Sequence, residues 1–384
     1  MGRVLVVATA GAGGDLQPLL AAVLALRDRG GHQTIFLGDR SVGRSLEGLN
    51  LDLEMLPAEL DLGPTLVAAI RDAMQMTGGD LAAAGPVVQE RMADWARRAA
   101  QPVADAVRRH QPAAIVTSLF GVEVLSNVAP PCRWAVINST FYVGPDPPRP
   151  LEEDFGPRAI PLISRYASLL ASANLVLHAT DPTFDLAFDG LPPRHHYVGP
   201  LGIWEPPSDP PSYLDEPGDP WVLVTISSQV QDDMALAEAA LAGLSGRPVR
   251  AVLTVGTDHD PDELSAIPPN ARVERTISHS AVLERGAVLV SHAGHGSVMK
   301  ALWHGRPMVL VPWGRDQPGV AARAAALGVA AVVPRGEASE ETLSAAIDRV
   351  LSDGPMKESA DRHGSRLRAT DPGAKAAGLL ETLL

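Results

Sequence analysis

Short apolar, β-branched runs alternate along this chain with segments that carry leucines and alanines at helical spacing, and that alternation predicts a parallel α/β architecture. Val4–Thr9 reads as a first strand, Leu16–Arg29 as a helix and His32–Leu37 as a second strand. Ala113–Ser118, Trp134–Asn138 and Leu175–Thr180 are apolar on both faces, as strands covered by helices on two sides must be. Two segments break the rhythm. Met74–Pro86 is rich in small residues and Val143–Pro161 is dense in proline and acid, so both predict irregular binding loops rather than core.

Gly199–Pro220 holds seven prolines among Gly, Asp and Ser, and after it the strand-helix rhythm restarts. Trp221–Ile226, Val249–Val255, Arg272–Thr276, Ala287–Ser291, Pro307–Pro312 and Ala330–Val333 read as strands. Asp233–Leu244, Ser297–His304, Val320–Leu327 and Glu340–Leu351 read as the helices between them. The expectation is two Rossmann-like, doubly wound domains, residues 1–200 and 221–370, joined by a Pro-rich linker at 201–220. Such domains face each other across a cleft lined by the carboxyl ends of both sheets, where folds of this kind bind ligands.

Composition narrows the ligand. At 384 residues with 46% apolar and 20% charged side chains, each half can bury a core. Gly and Pro make up about 18% of the chain against ~12% in average usage, which reads as many turns between short elements. A net charge of −13 argues against nucleic acid or an anionic membrane as a main partner. An anionic ligand would have to be held locally, by backbone amides or a few cations. One cysteine, Cys132, excludes an internal disulfide framework, no apolar run approaches bilayer length, and the N-terminal stretch fits neither a signal peptide nor a myristoylation site. A cytoplasmic protein without stable membrane insertion is expected, as a monomer or homodimer.

Three loops carry the candidate chemistry, each following a strand. Gly11-Ala-Gly-Gly-Asp-Leu-Gln-Pro18 lacks the third glycine and the ribose-binding acid of a dinucleotide fingerprint. Its Asp15 is either a helix-capping acid or a carboxylate base at the rim of the sheet. Ser291-His-Ala-Gly-His-Gly-Ser297 opens a helix with two glycines that let a ligand approach the backbone, so free N–H groups can hold a phosphate without lysines. His292 and His295 with His304 suggest a metal only weakly, since no Cys or carboxylate completes a ligand set. Pro312-Trp-Gly-Arg-Asp-Gln-Pro318 offers an adjacent acid and amide, able to accept from and donate to neighbouring hydroxyls of a sugar ring, although helix capping explains the pair equally well.

Taken together, His292-Ala-Gly-His-Gly-Ser, His304-Gly-Arg-Pro and Pro312 followed by Asp316-Gln317 resemble the nucleotide-sugar signature of family 1 glycosyltransferases of the GT-B fold. The likeness is greatest to bacterial enzymes of antibiotic and other natural-product biosynthesis. Gly13-Gly-Asp-Leu-Gln-Pro18 is similar to the acidic N-terminal loop of the glycopeptide-antibiotic and sterol members, and Val198-Gly-Pro200 to the lead-in to the linker. The resemblance implies an acceptor-binding N-terminal domain, a nucleotide-sugar-binding C-terminal domain and a helix within 371–384 that crosses back to the first. It implies Asp15 as general base. His292, Gly294, Gly296 and Ser297, with Ser228 from a second turn, would hold the diphosphate. Ile277 would read the base through its backbone, and Asp316, Gln317 and Trp313 would hold the sugar. The activity implied is inverting, metal-independent transfer of a sugar from a TDP- or UDP-linked donor to a small hydrophobic acceptor, O- or C-linked, with no cofactor beyond the donor. Met74, Met76, Phe120 and Phe141 are candidates for the acceptor pocket, with core packing an equal reading.

The chain departs from the family pattern in two places. Thr276 and Ser278 stand where relatives place a base-stacking aromatic and a proline, and Lys300 stands where some relatives place a ribose-binding acid. Two other activities fit the same fold. A nucleotide-sugar epimerase would need more acids around the sugar, and a non-catalytic nucleotide-sugar-binding partner would have no use for Asp15.

Overall fold

The structure is a computed structural model in which residues 2–9, 13–142, 165, 167–228, 231, 233–256 and 259–384 are described. Two parallel sheets account for every described strand. The first contains β1 (Arg3–Ala8), β2 (Gln33–Gly38), β3 (Asp52–Met55), β4 (Ala114–Ser118), β5 (Arg133–Asn138), β6 (Leu175–His178) and β7 (His195–Tyr197) in the order β3-β2-β1-β4-β5-β6-β7. The second contains β8 (Trp221–Thr225), β9 (Arg250–Thr254), β10 (Ala271–Glu274), β11 (Gly286–Ser291), β12 (Met308–Leu310) and β13 (Ala330–Val332) in the order β10-β9-β8-β11-β12-β13. The central strands β4 and β8 are buried at every position, which is why their sequences show no alternation.

Helices cover both faces. The first unit carries α1 (Leu16–Gly30), α2 (Arg40–Leu46), α3 (Leu62–Met76), α4 (Leu81–His110) and α5 (Val122–Val128). The second carries α6 (Met234–Leu244), α7 (His279–Arg285), α8 (His295–Trp303), α9 (Gln317–Ala326), α10 (Glu340–Ser352), α11 (Gly354–Arg368) and α12 (Pro372–Glu381). Met74–Pro86 is therefore not an irregular loop. It comprises the end of α3, a turn through Gly78 and Gly79 at φ 61° and 89°, and the start of α4, which tolerates Pro86 and Pro102 inside it. Val143–Pro161 lies outside the described residues.

The last helix returns to the first unit. Ala376, Ala377 and Leu380 of α12 join Leu19, Val23 and Leu26 of α1 in one core, and Glu381 pairs with Arg29. Gly199 takes φ 99° where the chain leaves β7, with Pro372 packed 3.0 Å from where a Cβ would stand. Only glycine fits that corner.

In each sheet, strand order reverses at one point, between β1 and β4 in the first and between β8 and β11 in the second. Connections diverge there to opposite faces and leave a crevice at the carboxyl ends. Asp15 follows β1 and His292 follows β11. Both sequence-predicted centres stand at the two crevices.

The units are joined beyond the linker by the stretch after β6. Thr180 Oγ1 lies 3.0 Å from His295 Nε2, Asp181 takes both terminal nitrogens of Arg366 at 2.8 and 2.7 Å, and Asp185 accepts from Arg323 Nε at 2.9 Å. Arg323 and Asp185 are buried, at 2% and 0% side-chain exposure. Tyr142 N–H and the Tyr197 hydroxyl supply further donors to Asp185 at 3.0 and 2.5 Å.

Candidate functional site

Asp15 is built by the sharp turn from β1 into α1. It occupies the N-cap position, yet its side chain makes no hydrogen bond to the helix. The capping reading is excluded by that geometry. The carboxylate instead turns across the sheet edge toward the ends of β4 and β5, where Ser139 Oγ donates to Oδ1 at 2.9 Å. Oδ2 is buried without a hydrogen-bond partner, and the residue is only 6% exposed. Burial raises the Asp15 pKa above the usual carboxylate value, the Ser118 and Ser139 hydroxyls and the Phe120 N–H oppose the rise, and the Asp316 carboxylate adds to it. A carboxylate so held is a stronger base than a free aspartate.

Across the cleft, Gly294 forms the N-cap of α8. A Cβ on Gly294 would stand 2.6 Å from His292 Nε2, so glycine is required for the imidazole to lie against the helix N-terminus. His292 Nδ1 lies 3.3 Å from the Thr225 carbonyl at the end of β8. Nothing stands within 4 Å of the Cβ position of Gly296, and the hydroxyl of Ser297, in the first turn, makes no hydrogen bond among the described residues. The N-termini of α1 and α8 approach closely, with Gly296 N 4.0 Å from the Cβ position of Gly14. Two positive helix ends thus converge on one volume beside Asp15, an arrangement that suits a bound anion. Residues 10–12 of the first glycine loop lie outside the described residues.

His295 does not join His292 as a ligand pair. It faces Thr180 of the other unit, and burial lowers its pKa to about 4, so it is neutral. No group of three His, Cys, Asp or Glu side chains placed to hold a metal occurs among the described residues.

The loop after β12 divides the roles expected of its residues. Gln317 is 2% exposed and committed internally, its Oε1 accepting from Trp313 N and Gly314 N at 2.8 and 3.0 Å and its Nε2 donating to Gln231 at 3.0 Å. In this arrangement it shapes the loop instead of presenting its amide to a sugar. Asp316 makes no capping bond, and its carboxylate acts electrostatically on both Asp15 and His292. The Trp313 ring is half-buried with the Arg335 guanidinium 4.5 Å above it. Ser228 lies beside Gly256, which takes φ 79° and whose Cβ position would stand 3.2 Å from Ser228 Cα, and the Ser228 hydroxyl makes no hydrogen bond among the described residues. Ile277 packs its side chain on the second unit's core directly before Ser278, the N-cap of α7, which leaves only its backbone for recognition.

The acceptor-pocket residues do not form one wall. Phe141 is fully buried in the seam between the units, beneath Arg323 at 3.7 Å and against Gly319, so it is core and not pocket. Phe120 is packed partly on the first unit's core. Met74 is half-buried, and Met76, two positions on and so on the other side of α3, is 68% exposed. Met74 instead continues an exposed apolar stripe with Val67 and Ile70, at 60% and 45% exposure. α3 follows β3, as α1 with Asp15 follows β1, so both helices open at the carboxyl edge of the first sheet.

Several residues at the site were not singled out by sequence reasoning. Ser139 anchors Asp15, and its position one residue beyond an apolar strand was the available signal. Glu205 of the linker accepts from Ser278 Oγ, His279 N, Ser280 N and Lys300 Nζ, the last at 2.8 Å. Burial alone would raise its pKa, but Lys300, His279 and these hydrogen bonds take it to about 2. Lys300 thus brings an acid into the place where it replaces one, and it also reaches Gln17 of α1 at 3.1 Å. Asp233 and Gln231 form a third group, linked to Gln317.

Residues 244–377 match the family model of the erythromycin biosynthesis protein CIII-like C-terminal domain. The chain is 31% identical over 222 residues to 4'-demethylrebeccamycin synthase of Lentzea aerocolonigenes, a stretch that covers 57% of this chain and 52% of that protein. It therefore spans about half the length of that relative. It is 27% identical over 416 residues to O-mycaminosyltylonolide 6-deoxyallosyltransferase of Streptomyces fradiae, covering 97% of this chain and 96% of that one. The solved structure of the glycotransferase of kitacinnamycin superposes with a TM-score of 0.73 at 21% identity, over 100% of this chain and 99% of the other. The fold is GT-B, and these similarities bear out the resemblance to the family 1 antibiotic glycosyltransferases.

Proposed function

We propose that this chain is a glycosyltransferase that moves a sugar from a TDP- or UDP-linked donor to an apolar natural-product acceptor, with inversion and without an essential metal. The observation that carries the reading is the placement of Asp15. A buried, partly orphaned carboxylate directly follows Gly14, whose Cβ position lies 4.0 Å from Gly296 N in the first turn of α8. In-line displacement at an anomeric carbon needs a base for the acceptor hydroxyl and a sink for the charge of the departing diphosphate. Asp15 supplies the first. The α8 amides, Ser297 and His292 supply the second. Asp316 receives sugar hydroxyls, and the exposed apolar stripe Val67, Ile70 and Met74 on α3 supports an acceptor surface on the first unit. The names of two relatives, 4'-demethylrebeccamycin synthase and O-mycaminosyltylonolide 6-deoxyallosyltransferase, support a polyketide or other polycyclic aglycone.

A mass-spectrometric screen of TDP- and UDP-sugars against polyketide and flavonoid acceptors, with and without EDTA, tests this reading. A sugar-shifted acceptor that forms equally with EDTA is expected, and acid treatment of the product separates O- from C-linkage. Donor conversion in the absence of any acceptor would favour the epimerase instead.

A further inference from the structure

The diphosphate loop contains a buried carboxylate that donor binding as described above does not use. Asp233, directly before α6, is 0% exposed. Its Oδ2 accepts from Ser227 N at 2.7 Å and Gln231 Nε2 at 2.9 Å, while Oδ1 is buried with no partner. His292 and Asp233 are both held by the same short stretch at the end of β8, the first through the Thr225 carbonyl and the second through Ser227 N–H.

The hydrogen bond to Thr225 decides which ring nitrogen carries the proton. A carbonyl only accepts, so Nδ1 holds the hydrogen, and the neutral ring keeps a bare lone pair on Nε2. Nε2 is the nitrogen that lies against Gly294 at the helix N-terminus. A phosphate oxygen arriving there meets a lone pair and cannot be bonded until Nε2 gains a proton. The charged and titratable groups acting on the ring come from each surrounding loop. Asp233 precedes α6, Arg315 and Asp316 follow β12, and His279 opens α7. Burial lowers the His292 pKa in the free protein, while Asp233, the Thr225 carbonyl and Asp316 favour the charged ring and Arg315 opposes it.

We propose that binding of the nucleoside diphosphate takes up a proton from solvent onto His292 Nε2, and that Asp233 is the positioning residue whose charge makes the resulting imidazolium stable. This rests on the diphosphate reading of the α8 loop. One N–H bond forms at Nε2 on binding, and the proton returns to solvent when the diphosphate leaves. In the free protein the ring is neutral near pH 7, and in the complex it is charged. Between its two pKa values, affinity therefore falls as pH rises, approaching tenfold per pH unit.

Calorimetry of TDP and UDP binding to the full chain, in buffers of differing ionisation enthalpy near neutral pH, reads this directly. The expected result is net uptake of a large fraction of one proton per nucleotide. With Asp233→Asn, nucleotide still binds, more weakly, and the uptake shrinks. Uptake undiminished in that variant would remove Asp233 from the account. His292→Asn, measured beside it, abolishes the uptake and keeps the proposal testable if Asp233→Asn does not fold. Binding by the wild type without proton uptake would overturn the proposal and leave the donor site standing. Unchanged nucleotide affinity in His292→Asn, or binding of neither nucleotide by the wild type, would overturn the diphosphate reading itself.

Discussion

The two units meet through a seam and across a cleft, and polar groups are treated oppositely in the two places. In the seam, Asp185 accepts from Arg323, Tyr142 and Tyr197, and Asp181 takes two bonds from Arg366. In the cleft, buried polar atoms are left without partners. Among the described residues Thr9, Asp15, Asn138 and Thr140 at the carboxyl edge of the first sheet, and Asp233, His259 and His279 at that of the second, each carry one such atom, and only Asn270 does so elsewhere. A buried donor or acceptor without a partner is destabilising by about 1–3 kcal/mol. Their concentration at the carboxyl edges of the two sheets is what the proposed function expects of a polar ligand site, while the satisfied seam holds the two units together.

Breaking the seam should have the largest effect on stability. Arg323→Ala leaves Asp185 buried and uncompensated, which is destabilising by about 3–5 kcal/mol, and a fall of several degrees in the thermal melting temperature checks it. The next effect lies in the cleft and is read on activity. Ser139→Ala removes a hydrogen bond that favours the charged form of Asp15. The acid limb of the kcat/KM profile should then move to higher pH, and kcat/KM on that limb should fall by roughly an order of magnitude.

A smaller effect of opposite sense sharpens the contrast. The pKa of Asp15 is raised by folding, so its contribution to stability is fully present below its unfolded value and is lost as pH rises through the folded one. Ionised, the carboxylate is a burden on the fold. Asp15→Asn should leave the melting temperature unchanged or slightly higher at neutral pH and should remove that advantage at acidic pH. The smallest effect is expected on the surface, where Met76→Ser should change stability by no more than about 0.5 kcal/mol and leave acceptor KM unaltered, because Met76 stands off the stripe formed by Val67, Ile70 and Met74.

The same contrast explains which features could be read from residue order. Buried central strands such as Val222–Val224 announce themselves by unbroken apolar runs, whereas the edge strands Asp52–Met55 and His195–Tyr197 are short, half-exposed and polar enough to pass as loops. Gly78, Gly79 and Pro86 made a helix pair look irregular because turn residues and an interior proline fall close together. Asp15, His292 and Asp316 were legible because each follows a strand and opens a helix. Ser139 and Glu205 were harder to read, since each acts through a tertiary contact, the first 124 positions from Asp15 and the second 73 to 75 positions from the start of α7, and Asp233 bonds within its own loop and meets His292 only in the fold. Phe141 misled for the same reason. An aromatic residue just past a strand can line a cleft or fill a seam, and only the position of Arg323 decides between them. Gln317 shows the converse, an amide in the right loop whose bonds are spent on the loop itself.

On the proposed function, Asp15 is left partly unsatisfied because it removes a proton from the acceptor. Transfer by Asp15→Asn, assayed with the donor and acceptor pair found by the screen while nucleotide affinity is followed by calorimetry, tests it most directly. Transfer should fall by about 10²–10⁴-fold with nucleotide affinity within a few-fold of the wild type. Transfer close to the wild-type rate would contradict it.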